Sequence, residues 1–147
     1  MAIMLVPDQI PMFWEAIRFS VVSAEVIEEK YRDRFLNRLL YLLLASKAQC
    51  FIRLNDARQL QMIGLTSVQV DEIRDEKTLF AYSLYSFEKV PGEVWVKDLE
   101  NLKDWAKASG CKSLTAWTNN DKAITLFNML GWKKRFDTFV LDIPGGV

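Results

Sequence analysis

The sequence predicts an α+β domain built on a mixed, mostly antiparallel sheet with helices on both faces. Three features lead there. Apolar residues recur at helical spacing early in the chain, as at Ile10, Phe13, Trp14, Ile17 and Val21. Between residues 49 and 87 the pattern changes to runs rich in β-favouring residues, punctuated by Asn55-Asp56 and by Arg74-Asp75-Glu76-Lys77. Beyond residue 94 helical spacing returns, and Gly110 and Gly131 stand where helices would end. A chain of 147 residues is enough for a single domain with its own core, with residues 144–147 as a tail.

Taken in order, residues 2–6 form a short apolar strand stopped by Pro7. Asp8 is placed to cap a first helix with Pro11 in its opening turn. The charged stretch 25–34 includes a break, after which Phe35, Leu36, Leu39, Leu40, Leu42 and Leu43 give a second helix a broad apolar face. Residues 49–54, 59–71 and 78–87 read as three antiparallel strands, with Gly64 marking a bulge in the second. Val94, Trp95, Leu99, Leu102, Trp105 and Ala106 line a third helix that ends before Gly110. A short strand at 113–118 follows. Asn119-Asn120-Asp121 caps a fourth helix ending at Gly131, and the alternation in 136–143 predicts a last strand.

Composition narrows the function. Lys+Arg and Asp+Glu cancel at 19 each, so no global field favours nucleic acid or an anionic membrane, and nothing discourages self-association. The chain has no histidine, the commonest general base and metal ligand, and Cys50 and Cys111 are too few for a disulfide framework. The start lacks a basic n-region, and the apolar run 39–45 falls far short of the ~20 residues that span a bilayer. A soluble cytoplasmic protein without metal is expected. Lys133-Lys134-Arg135 reads as a solvated helix end rather than a nucleic-acid grip. Most of the five tryptophans read as core, Trp95 being the exception, and the leucine face of the second helix leaves an edge for a protein partner or a second copy.

The residues from Trp105 to Cys111, then Leu114 to Thr118, then Asn120 to Trp132 resemble the closing pattern of the GCN5-related N-acetyltransferases (GNAT). That pattern has an Asn after the fifth strand, an Ala three residues on, an aromatic four later and Gly-Phe at the helix end. Here these fall on Asn120, Ala123, Phe127 and Gly131-Trp132. The predicted element order extends the resemblance over nearly the whole chain. It implies acetyl-CoA held between the strands 78–87 and 113–118, by Tyr85, Phe87, Gly92, Glu93, Val94, Asn120 and Phe127. In the family a basic residue and a glycine-rich loop at the start of the third helix bind the pyrophosphate through bare N–H groups.

Three departures weigh against activity. Counted back from Gly110, the loop's basic position falls on Val90 and its glycines on Pro91, Glu93 and Trp95. Proline lacks a donor. Glu93 brings a carboxylate where phosphates would sit and is placed to satisfy the helix dipole itself. Trp95 is placed either to plug the cleft or to anchor a partner. Phe127 replaces a tyrosine that in many members protonates the leaving thiolate, and phenylalanine has no proton to give. No carboxylate lies in 78–87, which leaves Glu72, Glu88, Tyr82 and Tyr85 as candidate bases, each equally a solvated charge or a packed aromatic. The resulting expectation is a non-catalytic GNAT-like domain used for protein–protein assembly, with no cofactor, like the decayed acetyltransferase patterns that bacteriophages encode, residing in host cytoplasm or virion. The alternative is an acetyl-CoA-dependent N-acetyltransferase with a divergent loop. That requires free backbone N–H groups near Gly92 to Val94 and a cleft between the two strands.

Overall fold

The computed structural model describes residues 2–24, 27–118 and 121–145. It contains two compact units, Met1–Trp117 and Thr118–Val147. In the first, β1 (Ile3–Met4), α1 (Ile10–Ala24), α2 (Glu29–Leu44), β2 (Gln49–Leu54), β3 (Leu60–Asp71), β4 (Glu76–Ser86), α3 (Gly92–Ala108) and β5 (Ser113–Ala116) follow one another. The sheet order is β1-β2-β3-β4-β5, antiparallel throughout except for the parallel β4–β5 pair. This is the predicted α+β class. The parallel pair exists because α3 carries the chain back across the sheet.

Side-chain alternation assigns the two faces. Cys50, Ile52, Ile63 and Leu65 point to one side and pack with Ile10, Ile17, Val21, Leu39 and Leu43 of α1 and α2. Phe51, Met62, Gly64 and Leu84 point to the other, against Trp95, Leu99 and Leu102 of α3. The core cluster thus takes up most of the leucine face of α2, with Leu44 left exposed at its end. The tryptophans are less buried than expected: Trp14, Trp95, Trp105 and Trp132 are half-buried and Trp117 is exposed.

Local details depart from the expected ones where register or packing decides. Asp8 does not cap α1. It lies in a 3-10 turn, Pro7–Gln9, that runs straight into the helix, and the Val6 N–H donates to Gln9 Oε1 at 3.0 Å. Gly64 is not a bulge but pairs regularly with Phe51 and Leu84. A Cβ there would sit 3.0 Å from Leu84 Cδ2, so the glycine makes room for that leucine. Irregularities lie elsewhere: on β3 Gln61 is left over where Arg53 faces Met62 and Leu54 faces Leu60, and on the next strand Leu65 faces Ser83 and Thr66 faces Ala81, making Tyr82 the inserted residue. Gly110, at φ +81, ends α3 as predicted, with its N–H on Lys107 O and the Cys111 N–H on Ala106 O.

In the second unit α4 (Asp121–Met129) ends at Gly131, whose N–H donates to Asn128 O while the Trp132 N–H donates to Phe127 O. The strand expected over 136–143 is absent. These residues carry no regular secondary structure, and Phe139 and Leu141 are each 91% exposed. Alternation gives a segment two faces but not the neighbouring ladder that makes it a strand. The proposed cap at Asn119 and Asn120 lies outside the described residues.

Two measurements check this packing. Gly64→Ala is expected to lower stability by about 1–2 kcal/mol in urea unfolding, with Leu84→Ala in the same chain recovering part of the loss. Burial pushes the Cys50 thiol up to about 12 from 9.0. The unfolded thiol ionises before the folded one, so stability is unaffected by Cys50 below about pH 9 and falls as pH rises from there towards 12. At pH 8 a thiol reagent is expected to modify the half-buried Cys111 and to spare buried Cys50 until denaturant is added.

Candidate functional site

The site is built where β4 outruns its neighbour. The parallel ladder pairs Thr78 with Ser113, Leu79 with Leu114, Phe80 with Thr115 and Ala81 with Ala116, and stops there. The next residue is Tyr82, the one inserted against β3. A bulge bends its strand and adds local twist, so β4 turns away from β5 at the point where their ladder ends. From Ser83 to Ser86 β4 stays bonded to β3 but has no ladder on its β5 side among the described residues. An unpaired strand edge offers backbone donors and acceptors to any extended chain carrying amides.

This edge leads directly to the start of α3. Pro91 precedes the helix with ψ 145 and no side-chain cap, and its carbonyl accepts the N–H groups of Val94 at 3.0 Å and Trp95 at 3.4 Å. The N–H groups of Gly92 and Glu93 have no acceptor among the described residues. A Cβ built on Gly92 meets nothing within 4 Å, so the space in front of it is open. Glu93 does not cap the helix and stands exposed. Trp95 does not plug the open edge: it turns onto the sheet with Leu99 and Leu102.

The other predicted residues scatter. Glu72 lies in the β3–β4 hairpin turn, at the opposite end of β4 from the open edge. Glu88, two residues past β4, is exposed, and its Oε1 accepts Gln61 Nε2 at 2.9 Å and Asn55 Nδ2 at 3.4 Å. Tyr85 and Phe87 form a ring cluster with Phe19 of α1, at centroid distances of 5.9 Å (Phe19–Tyr85), 6.1 Å (Phe19–Phe87) and 5.1 Å (Tyr85–Phe87). Tyr82 lies 6.2 Å from Phe35 of α2 and 6.0 Å from Phe80. Phe127, in the second unit, is half-buried and stacks on Trp132 at 4.6 Å. Asn120 lies outside the described residues. Lys134 of the basic cluster pairs with Asp137 at 2.6 Å.

Sequence reasoning missed three features. Trp117, immediately after β5 and 70% exposed, lays its ring 4.9 Å from Phe80 at the mouth of the open edge. Ser83 is 6% exposed, and its Oγ is buried without a hydrogen bond. On the opposite sheet face, a cavity of about 50 Å³ lies between α3 and β2–β4. Arg53 Nη1 donates to Asp98 Oδ1 there at 2.8 Å, while Asp98 Oδ2 is buried without a partner. No group of three His, Cys, Asp or Glu among the described residues is arranged to hold a metal ion. No helix among them is long and apolar enough to cross a membrane.

No family model matches the chain, and no curated protein matches it in sequence. Solved structures match along nearly its whole length. A probable acetyltransferase superposes with a TM-score of 0.77 at 12% identity, covering 99% of each chain. A predicted acetyltransferase from Clostridium acetobutylicum, solved with acetyl-CoA, gives 0.73 at 8% identity over 97% of this chain and 95% of that one. An aminoglycoside N-acetyltransferase in complex with CoA gives 0.72 at 12% identity over 98% and 94%. At such identities the likeness establishes the fold, which is that of the GNAT acetyltransferases. It also overturns the expectation of a non-catalytic assembly domain. Many of the structures it superposes on are acetyltransferases, among them ones solved with acetyl-CoA or CoA, and Trp95 does not block the edge.

The buried pair under α3 gives a direct test of how that helix is held. Arg53→Met is expected to destabilise the protein by about 3–5 kcal/mol in urea unfolding, because it leaves the Asp98 carboxylate buried and uncompensated. Replacing both residues, Arg53→Met with Asp98→Leu, is expected to recover most of that loss.

Proposed function

We propose that the protein is an acetyl-CoA-dependent N-acetyltransferase working in the cytoplasm, where acetyl-CoA is plentiful. The observation that carries the reading is the continuity between the open edge of β4, Ser83 to Ser86, and the two unbonded N–H groups of Gly92 and Glu93. The spacing suits a ligand with an extended amide-bearing arm and a phosphate end. The edge of β4 would hold the pantetheine arm of CoA as an added strand, beside the Tyr85 and Phe87 rings. The pyrophosphate meets the Gly92 and Glu93 N–H groups at the positive end of the α3 dipole. Val94 lends the helix dipole but no N–H, since its own is bonded to Pro91 O.

Bound there, acetyl-CoA supplies an activated acetyl group, and the chain's own residues position the acceptor and exclude water. The Trp117–Phe80 pair walls the mouth of the edge. The leaving thiolate would be protonated from solvent or by the amine's own proton. With no carboxylate on β4 beyond Glu76, the acceptor enters as the neutral amine. The rate should therefore rise with pH towards the amine's own pKa instead of showing a bell. Glu93 near the phosphate position weakens binding without abolishing it, because the carboxylate is exposed and screened.

Calorimetric titration with acetyl-CoA and CoA tests the reading, with a dissociation constant in the micromolar range expected. Gly92→Pro removes one N–H at the first helical position, where proline is well accommodated. It should weaken CoA about tenfold or more, as the loss of one hydrogen bond to a charged group does, while leaving the melting temperature unchanged or raised. Glu93→Gln should tighten CoA a few-fold, more at low salt. Absence of binding at millimolar CoA would reject the proposal.

A further inference from the structure

No described residue of the second unit, Thr118–Val147, is buried. α4 contributes none, although Ile124 and Phe127 stand on one of its faces. The segment 136–143 contributes none either: Phe136, Phe139, Val140, Leu141 and Ile143 are between 71% and 91% exposed. These five side chains leave on the order of 500 Å² of apolar surface in water, as much as the largest patches on monomers, which mark interfaces. A unit of fewer than about 40 residues without a core is usually completed by a disulfide, a metal or association. This unit has no cysteine, and no metal-binding cluster lies among its described residues, which leaves association.

The same segment has the composition of a strand and lacks a ladder. Its β-branched and aromatic residues favour extended backbone, and its N–H groups make no backbone hydrogen bond among the described residues. Pro144, which has no N–H, opens a turn that stops the pattern. Such a segment takes a partner by strand addition. Its own sequence fits a second copy of itself. Laid antiparallel about Thr138, one face sets Lys134 opposite Asp142, Phe136 opposite Val140 and Thr138 opposite itself. An ion pair, an aromatic on a β-branched residue and a threonine pair are cross-strand combinations that stabilise sheets. On the other face Arg135 lies across from Leu141, where its stem covers the leucine and its charge stays in water. Parallel pairing in register would set like charges together. The Lys134–Asp137 contact at 2.6 Å joins two exposed side chains and is worth little, so exchanging it costs little.

We propose that the protein forms a twofold dimer in which residues 134–142 of the two copies pair as an antiparallel ladder centred on Thr138. The proposal is independent of the acetyltransferase reading. A two-stranded ladder is marginal by itself, and the Ile124 and Phe127 face of α4 gives each copy an apolar layer to lay on it. The contact is isologous, each copy offering the same surface, so it closes at two copies.

Sedimentation equilibrium of the full chain from about 1 to 200 µM tests it, with monomer expected to pass to dimer at a micromolar dissociation constant. Val140→Lys, at a position 81% exposed in the single chain, should weaken the dimer about tenfold or more and leave the melting temperature at low concentration unchanged. Lys134→Glu and Asp142→Lys should each weaken it about tenfold, because each sets like charges opposite one another twice. An equimolar mixture of those two variants should recover the wild-type affinity, because unlike charges then meet at both ends. On oxidation Thr138→Cys should give a disulfide-linked dimer and Val140→Cys should not, since the two 138 positions face each other and the two 140 positions lie well apart along the ladder. A monomer at every concentration, a dimer untouched by Val140→Lys, a mixture no tighter than its parts, or cross-linking at 140 in place of 138 overturns the proposal. So does a monomer whose 136–143 amides resist hydrogen exchange, since the segment then has a partner within its own chain.

Discussion

One inserted residue governs the functional half of this sheet. Pairing Leu65 with Ser83 and Thr66 with Ala81 gives β4 one residue more than β3 across the same span, and Tyr82 is that residue. Strand pairing is periodic, so an extra residue cannot be absorbed without bending the strand that carries it. The bend comes where the parallel ladder to β5 gives out, which leaves Ser83 to Ser86 without a ladder partner on that side among the described residues. The same insertion resets the side-chain alternation, bringing Ser83 and Tyr85 onto the α1/α2 face and Leu84 and Ser86 onto that of α3. The β4 edge of the proposed cofactor site follows from this slip.

The remaining packing keeps that slip in place. On one side, the Phe19–Tyr85–Phe87 and Phe35–Tyr82–Phe80 rings hold the bent strand to α1 and α2. On the other, the absence of a side chain at Gly64 lets Leu84 drop onto β3, and the Arg53–Asp98 pair ties β2 to α3. A polar chain continues from Arg53 through Gln61 to Glu88 and Asn55, so the segment between β4 and α3 is tethered just before the exposed N–H groups. Rigid elements on either side of an unpaired edge are what a binding site needs if ordering it is not to consume the binding free energy.

Buried polar atoms are left unmet on both faces of the sheet. Asp98 Oδ2 sits beside a cavity, and its own charge is already matched by Arg53. Arg32 Nε and Ser83 Oγ are likewise buried without a hydrogen bond.

What was legible in the sequence was local. The bounds of β2 followed from the change of hydrophobic period and from Asn55, whose Oδ1 accepts the Gln59 N–H in the turn. The end of α3 followed from Gly110, because only glycine takes φ +81 without strain. The order of elements was enough to suggest the fold. Alternation also predicted a strand over 136–143, and failed, since a strand is completed by a neighbour that no local pattern supplies. Substitutions at Pro91 and Glu93 suggested a dead loop, but whether an N–H is free depends on its carbonyl neighbours in space. Gly92 and Glu93 keep theirs. The sequence by itself determined the periods, the turns and the caps, because each is settled within a few residues along the chain. Register, burial and the unmet donor were decided only by the tertiary structure, because each is a relation between residues far apart in sequence.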